Sequence, residues 1–131
     1  MTLNILVVDD NRIMRDMVAK AVRMTGLPIG DVVTAGNGLE ALAALRSQWL
    51  DLVLLDINMP VMNGEEFLEA LRADEALRQA MVVIVSTESS VKRIARLKAF
   101  GAEFVHKPFR PEELKAAVDR LMAVDRTGSQ P

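Results

Sequence analysis

The chain has 131 residues, a formal net charge of −2 at pH 7, and a hydrophobic content of 50%. A chain of this length forms one domain whose core needs no disulfide or metal to hold it together. The small net charge argues against non-specific nucleic-acid binding, which requires a basic surface. The absence of cysteine and the single histidine exclude disulfides, thiolate chemistry and metal sites rich in Cys or His.

Membrane association is not expected either. The longest apolar runs are far shorter than a membrane span, and the first residues lack the charged and apolar regions of a signal peptide. The sequence therefore predicts a cytoplasmic protein that binds neither membrane nor nucleic acid.

Short apolar runs alternate with segments of helical periodicity along the whole chain. The predicted strands are Leu3–Val8, Asp31–Ala35, Leu52–Leu55, Met81–Val85 and Glu103–His106. A predicted helix follows each strand, and the five helices are placed after Asn11 up to Gly26, over Leu39–Arg46, from Gly64, over Ser90–Phe100 and from Pro111. Parallel strands need crossover connections, so this alternation predicts an α/β fold with a doubly wound, five-stranded parallel sheet. We assign residues 1–125 to one domain and residues 126–131 to a flexible tail or the stub of a linker.

Residues capable of chemistry stand at the ends of four strands. Asp9 and Asp10 follow the first strand, Asp56 the third, Ser86 the fourth and Lys107 the fifth. The carboxyl ends of parallel strands share one edge of the sheet, where α/β proteins bind ligands. Three carboxylates in one crevice repel each other unless a cation is present, and the candidates are a divalent ion and the lysine ammonium. An acidic, all-oxygen site is suited to Mg²⁺.

The third strand raises the main chemical question, because a buried apolar strand has no structural need to end in an acid. A carboxylate beside Mg²⁺ and a lysine can attack a phosphoryl group and become an aspartyl phosphate. The cations would offset charge on the phosphoryl oxygens, and the Ser86 hydroxyl can donate a hydrogen bond to one of them. Asp56 is therefore the candidate nucleophile.

Four motifs in chain order give the sequence a family resemblance. It resembles the receiver domain of bacterial two-component response regulators, most closely the stand-alone, CheY-like regulators of chemotaxis, from about Leu3 to Leu121. That resemblance implies a flavodoxin-like sheet with strand order 2-1-3-4-5. The motifs are Val7-Val8-Asp9-Asp10, Leu55-Asp56-Ile57-Asn58-Met59-Pro60 with Gly64 downstream, Val85-Ser86-Thr87-Glu88, and Lys107-Pro108-Phe109.

The resemblance implies a role for each residue at the predicted crevice. Asp56 matches the phosphoacceptor of the family, and Lys107 matches the lysine that pairs with the phosphoryl group. Asp9 and Asp10 match the acidic pair that binds Mg²⁺ together with Asp56. Asn58 is expected to add its backbone carbonyl to the metal site.

Further positions match the residues that transmit and time the signal in this family. Ser86 matches the hydroxyl that moves towards the phosphoryl group, and Phe104 matches the aromatic residue that swings inward with it. The usual tyrosine is replaced by phenylalanine here, which removes a hydroxyl that could form a hydrogen bond. Asn58 and Glu88 match positions that tune the lifetime of the phosphoryl group.

The resemblance also implies the partners. A histidine kinase or a histidine phosphotransfer protein would donate the phosphoryl group, and a separate target protein would bind the surface of helix 4, strand 5 and helix 5. A phosphatase is a further partner of such proteins, and the expected state is a monomer or weak dimer. Helix 4 carries four basic residues that form either a solvated face or a docking surface for an acidic partner, namely Lys92, Arg93, Arg96 and Lys98.

Simpler structural interpretations stand beside these assignments. Asp9 and Asp10 could be helix N-capping residues, and Phe104 could be an ordinary core residue. Thr87 could take the place of Ser86, although a shift of one residue reverses the side-chain direction on a strand. We expect His106 to be structural because it should point away from Lys107. Trp49 is expected to serve in packing, and helix 4 is expected to bury Val91, Ile94 and Leu97.

Two other functional classes are considered. A phosphohydrolase of the haloacid-dehalogenase type would carry Asp-x-Asp after the first strand, where this chain has Asp9-Asp10-Asn11. A flavin-binding module would carry a phosphate loop rich in glycine and hydroxyl groups at that position, and two carboxylates would repel the flavin phosphate. A single-site signalling switch, which catalyses its own phosphorylation and dephosphorylation without being a turnover enzyme, agrees better with the motifs.

Overall fold

The computed structural model of the chain describes residues 2–128, and it describes side chains as far as residue 123. Within this range five strands alternate with five helices. The strands are β1 (Leu3–Val8), β2 (Ile29–Ala35), β3 (Leu52–Leu55), β4 (Met81–Ser86) and β5 (Glu103–His106). The helices are α1 (Arg12–Arg23), α2 (Gly38–Ser47), α3 (Gly64–Ala73), α4 (Val91–Lys98) and α5 (Pro111–Gly128).

The strands form one parallel sheet in the order β2-β1-β3-β4-β5. This confirms the predicted flavodoxin-like α/β fold. Alternate residues of each strand point to opposite faces, so the sheet separates two buried clusters. Helices α2, α3 and α4 contribute buried residues to one cluster, and α1 and α5 contribute to the other. The carboxyl ends of β1, β3, β4 and β5 consequently lie along the same edge of the sheet.

Polar caps explain where several helices begin. The Asn11, Asn37 and Ser90 side chains accept hydrogen bonds from backbone N–H groups in the first turns of α1, α2 and α4. Asn63 forms a capping box with Glu66 at the start of α3, in which each side chain accepts from the other residue's backbone N–H. The loop between β3 and α3 is therefore anchored at its end.

Several element boundaries differ from the sequence prediction. Strand β2 begins at Ile29 because this residue pairs with Leu3 of β1, which lengthens the strand by two residues. Helix α4 is shorter than predicted, since Ser90 is its cap and the helix ends at Lys98. Helix α5 continues to Gly128, so residues 126–128, predicted as tail, are helical. The remainder of the predicted tail, residues 129–131, lies outside the described residues.

Two predictions of buried apolar residues were wrong. Val91 is 82% exposed, because the buried side of α4 is carried by Leu97, with Ile94 half-buried. Trp49 is 77% exposed, and its indole N–H donates to the Asp51 carboxylate at 2.8 Å. Among the described residues, we find no helix that is both long and apolar enough to cross a membrane.

A strained turn lies between the third strand and α3. Val61 has a φ of 69°, the one positive φ at a non-glycine residue among residues 2–128. The Met62 N–H donates to the Pro60 carbonyl at 2.7 Å, which closes a three-residue γ-turn around Val61. This conformation is unfavourable for a β-branched side chain, and Val61 is 72% exposed, so packing does little to offset the strain.

Replacing Val61 by Asn is therefore expected to stabilise the protein by about 1 kcal/mol, because Asn tolerates a positive φ better than Val does. Urea unfolding of the two proteins measures the difference. Val91→Asn is the matched control, since Val91 is also highly exposed but lies in a helix. An equal or larger gain from the control would show that removing an exposed valine, rather than relieving backbone strain, is responsible.

Candidate functional site

Three carboxylates converge at the carboxyl edge of the sheet. Val8 of β1 pairs with Leu55 of β3, so the residues that follow them are neighbours. The Asp56 N–H donates to the Val8 carbonyl at 2.9 Å, which continues the ladder past the end of β3. One carboxylate oxygen from each of Asp9, Asp10 and Asp56 lies within 4.8 Å of the other two. Strand register alone thus brings together acids that are far apart in the sequence.

Asp9 is the most deeply placed of the three acids, with only 3% of its surface exposed. One carboxylate oxygen accepts from the Asn11 N–H at 2.9 Å, and the other accepts from the Lys107 ammonium at 3.4 Å. The Arg15 guanidinium donates to the Asp9 backbone carbonyl at 2.8 Å. The cap of α1 is Asn11 rather than either acid, so helix capping does not account for the acidic pair.

Burial raises the pKa of Asp56 above its ordinary value, and the nearby charges of Asp9 and Asp10 raise it further. Lys107 and a hydrogen bond of 3.3 Å from the Asn58 N–H act in the opposite direction without cancelling the rise in pKa. Ionisation of Asp56 is therefore less favourable than that of an ordinary aspartate, and further positive charge nearby would favour it.

These donors can be tested for their fit to a metal ion. The cluster offers carboxylate oxygens from three residues and no sulfur or imidazole ligand. Mg²⁺ prefers oxygen ligands and is usually bound by one or two carboxylates together with waters and a phosphate oxygen. The residues present therefore fit Mg²⁺.

Ser86 and Lys107 complete the edge on its other side. Ser86 is the last residue of β4 and is buried, whereas Thr87 is exposed, so their side chains differ in environment as the strand alternation predicts. The Ser86 hydroxyl accepts from the Glu88 N–H at 3.0 Å, and the Ser86 carbonyl accepts from the Lys107 N–H at 2.9 Å. The peptide bond between Lys107 and Pro108 is cis.

The aromatic residues of β5 lie on the face of the sheet that carries α4. Phe104 is half-buried and packs against the core on that face. Its ring meets that of His106 edge-on, with centroids 4.9 Å apart and an interplanar angle of 66°. His106 is exposed, whereas the ammonium of the adjacent Lys107 reaches Asp9. This arrangement agrees with a structural role for His106.

The four basic residues of α4 divide into two groups. Lys92, Arg96 and Lys98 are exposed. Arg93 is instead only 24% exposed and forms ion pairs with Glu65 at 3.0 Å and with Glu88 at 2.7 Å. The predicted basic docking surface thus retains three residues, and Arg93 is directed into an acidic cluster.

Sequence reasoning missed Arg15 and Glu65. Both lie in first or second helical turns, where charged residues are common and carry no specific signal. A basic residue at the start of the first helix, six residues after Asp9, could have suggested the Arg15 contact. The Glu65 contact spans 28 residues and depends on how α3 packs beside α4.

Comparison with known proteins identifies the family. Residues 5–119 match the response regulator receiver domain family. The chain is 33% identical to chemotaxis protein CheY-3 of Vibrio cholerae over 120 residues, covering 91% of each chain. It is 37% identical over 127 residues to the probable transcriptional regulatory protein TcrX of Mycobacterium tuberculosis, covering 96% of this chain and 51% of the relative. The chain belongs to the response regulator receiver domain family.

Solved structures show the same relationship. The chemotaxis response regulator CheY4 of Vibrio cholerae superposes with a TM-score of 0.79 at 34% identity, covering 92% of this chain and 99% of that one. The chain spans about half the length of several curated relatives, including the DNA-binding response regulator MtrA of Mycobacterium leprae, with which it is 36% identical and of which it covers 50%.

Membership of this family defines the general activity. Receiver domains of two-component response regulators act in phosphorylation-based signalling, and they are switches rather than turnover enzymes. They generally bind Mg²⁺ at an acidic pocket, and this chain has a cluster of three aspartates at the corresponding edge of its sheet.

Proposed function

We propose that this chain is a signalling switch that accepts a phosphoryl group on Asp56, in a Mg²⁺-dependent reaction, from a histidine kinase or a histidine phosphotransfer protein. The observation that supports this most strongly is the convergence of Asp9, Asp10 and Asp56 with Lys107 at one edge of the sheet. A carboxylate in such surroundings can be phosphorylated if the charge on the incoming group is balanced.

The residues at this edge would share the work of phosphoryl transfer. An Asp56 carboxylate oxygen forms the bond to phosphorus, the bond between phosphorus and the donor imidazole nitrogen breaks, and the released imidazole takes up a proton. The Lys107 ammonium, held by Asp9, donates to a phosphoryl oxygen, and the Ser86 hydroxyl donates to another. Asp9, Asp10, Asp56 and the Asn58 carbonyl would hold Mg²⁺, which when bound offsets the negative charge of the phosphoryl oxygens.

Phosphorylation is proposed to alter the surface of α4, β5 and α5. The buried Ser86 hydroxyl accepts a hydrogen bond from Glu88 in the unmodified protein and keeps its own proton available for a new acceptor. Movement of Ser86 towards a phosphoryl oxygen would free space beside β5, into which half-buried Phe104 can turn. The exposed basic residues Lys92, Arg96 and Lys98 lie beside this region and would meet an acidic target protein.

The pathway and the remaining partners are proposals as well. Relatives named for chemotaxis and for transcriptional regulation both match, so we propose motility control or another phosphorelay. A separate target, a phosphatase, a monomeric or weakly dimeric state and a cytoplasmic location stay predictions. So does the prediction that this chain binds neither nucleic acid nor membrane.

A labelling experiment tests the proposal. Incubation with acetyl phosphate and Mg²⁺ should add one phosphoryl group that is stable in acid and removed by hydroxylamine, as expected of an acyl phosphate. Chelation of Mg²⁺ should abolish the labelling, because Lys107 alone cannot balance three carboxylates and the incoming group. Labelling that proceeds equally well without Mg²⁺ would contradict the proposed metal dependence.

A further inference from the structure

Arg93 joins three segments around the phosphoacceptor. Its guanidinium donates to Glu65 at the start of α3 at 3.0 Å, to Glu88 in the loop before α4 at 2.7 Å, and to the Asn58 side-chain oxygen at 3.3 Å. The side chains of Arg93 and Glu88 are only 24% and 18% exposed. A single guanidinium thus connects α4 with α3, with the loop after β3 and with the loop after β4. Lysine cannot reproduce this geometry.

Two of the three partners of Arg93 also contact the phosphorylation site. The Asn58 backbone N–H donates to the Asp56 carboxylate at 3.3 Å. The Glu88 backbone N–H donates to the Ser86 hydroxyl at 3.0 Å. Arg93 is therefore one residue removed from the proposed phosphoacceptor and one residue removed from the proposed switch hydroxyl.

Both oxygens of the Glu88 carboxylate are hydrogen-bonded in this arrangement. One oxygen accepts from the Ser89 and Ser90 N–H groups at 3.1 and 3.0 Å, and the other accepts from Arg93. The hydrogen bond from Ser90 and then that from Arg93 lower the pKa of Glu88, so the group is ionised at neutral pH. Loss of the guanidinium would leave one charged oxygen free to accept a hydrogen bond from water.

We propose that Arg93 is a positioning residue that prolongs the life of the aspartyl phosphate by keeping the Glu88 carboxylate engaged and away from attacking water. The inference rests on the proposed function, because it concerns the fate of a phosphoryl group on Asp56. It assigns Arg93 to the timing of the signal rather than to the basic docking surface of Lys92, Arg96 and Lys98.

The step affected is hydrolysis of the acyl phosphate. The water oxygen forms a bond to phosphorus, the bond between phosphorus and the Asp56 carboxylate oxygen breaks, and the products are the free carboxylate and dihydrogen phosphate, which carries both protons of the water. A free Glu88 oxygen would accept a hydrogen bond from this water and orient it towards phosphorus. With Arg93 in place, the ion pair of 2.7 Å directs that oxygen to the guanidinium instead.

The test follows decay of the label in the whole chain after phosphorylation with acetyl phosphate and Mg²⁺ and removal of the donor. Arg93→Ala should shorten the half-life about tenfold, the effect expected of one charge-assisted hydrogen bond. Arg93→Lys should shorten it less, because lysine keeps the charge but cannot bridge three acceptors. Arg46→Ala, which removes an exposed ion pair with Asp74 at the carboxyl end of α2, is the matched control and should leave the half-life unchanged.

A second set of variants separates positioning from a merely structural role. In a Glu88→Gln background, Arg93→Ala and Arg93→Lys should no longer accelerate decay, because the freed group is not a carboxylate. Glu65→Gln, which loses an ion pair of Arg93 on the α3 side, should have a near wild-type half-life. If Arg93→Ala does not fold, the half-life of Arg93→Lys is compared between the wild-type and Glu88→Gln backgrounds instead.

The outcomes distinguish this inference from the proposed function. Equal half-lives for the wild type and the Arg93 variants, or acceleration that persists in the Glu88→Gln background, would overturn the role of Arg93 while leaving phosphorylation of Asp56 intact. A wild-type chain that takes no label would instead overturn the proposed function.

Discussion

The Asp56→Asn variant is expected to take no phosphoryl label and yet, without Mg²⁺, to unfold at a higher temperature than the wild type. The loss of labelling follows from removal of the nucleophile. The gain in stability follows from the pKa of Asp56, which burial first and then the charges of Asp9 and Asp10 raise above the ordinary value. An isosteric amide removes the charge that the folded protein accommodates poorly.

The stability advantage of Asp56→Asn should decrease as the pH falls. When folding raises the pKa of a carboxyl group, the ionised group destabilises the folded state above that raised value, and the penalty disappears as the pH falls towards the unfolded-state value. The advantage of Asp56→Asn should therefore be complete at neutral pH and shrink as the pH approaches 3.8, the ordinary pKa of the group. Thermal unfolding across this range, with chelator present, measures the effect.

Two comparisons complete this prediction. Mg²⁺ should raise the unfolding temperature of the wild type more than that of Asp56→Asn, because the variant lacks one of the three carboxylates. Asp31→Asn is the control, since Asp31 is exposed on β2, away from the site. An Asp56→Asn protein that is less stable than the wild type at neutral pH, or whose advantage grows on acidification, would contradict the electrostatic description.

Gly64→Ala is expected to destabilise the fold by about 2–3 kcal/mol, because it introduces a methyl group where there is no space. A Cβ atom at Gly64 would lie 2.6 Å from the Cα and 2.5 Å from the Cγ2 of buried Ile57. The Gly64 N–H also donates to the Ile57 carbonyl at 3.0 Å, which fixes the approach of the two backbones. Since Ile57 lies between Asp56 and Asn58, relieving the clash would shift the site and slow labelling as well.

Gly36→Ala is the matched control for this substitution. A Cβ atom at Gly36 would lie 3.4 Å from the ends of the Arg15 and Glu40 side chains, which is ordinary van der Waals contact with groups that can move. The cost should be below about 1 kcal/mol, because no backbone atom obstructs the added methyl group. Urea unfolding with a shared m-value gives both numbers, and equal destabilisation by the two substitutions would show that the Ile57 backbone is not the obstacle.

The fold and the composition of the site edge were predictable because both depend on the order of elements. Alternating strands and helices require a parallel sheet, and a parallel sheet places the ends of its strands at one edge. The convergence of Asp9, Asp10 and Asp56 therefore follows from two strand ends, those of β1 and β3. The contact between Lys107 and Asp9 involves a third, that of β5.

Features that depend on side-chain packing were not predictable in this way. The ion pairs of Arg93 require that α3 and α4 lie side by side at a particular height, which no periodicity in either helix specifies. The exposure of Val91 depends on which turn of a short helix reaches the sheet. The positive φ of Val61 runs against the preference of its side chain, so a local rule predicts the wrong conformation there.

The most direct test of the central claim is to locate the label at a single residue. Protein treated with acetyl phosphate and Mg²⁺ is reduced with borohydride, which converts an aspartyl phosphate to homoserine, and is then sequenced by mass spectrometry. We predict homoserine at position 56 and unmodified aspartate at positions 9 and 10. Homoserine at either of those two positions, or at none of the three in labelled protein, would contradict the assignment of Asp56 as the phosphoacceptor.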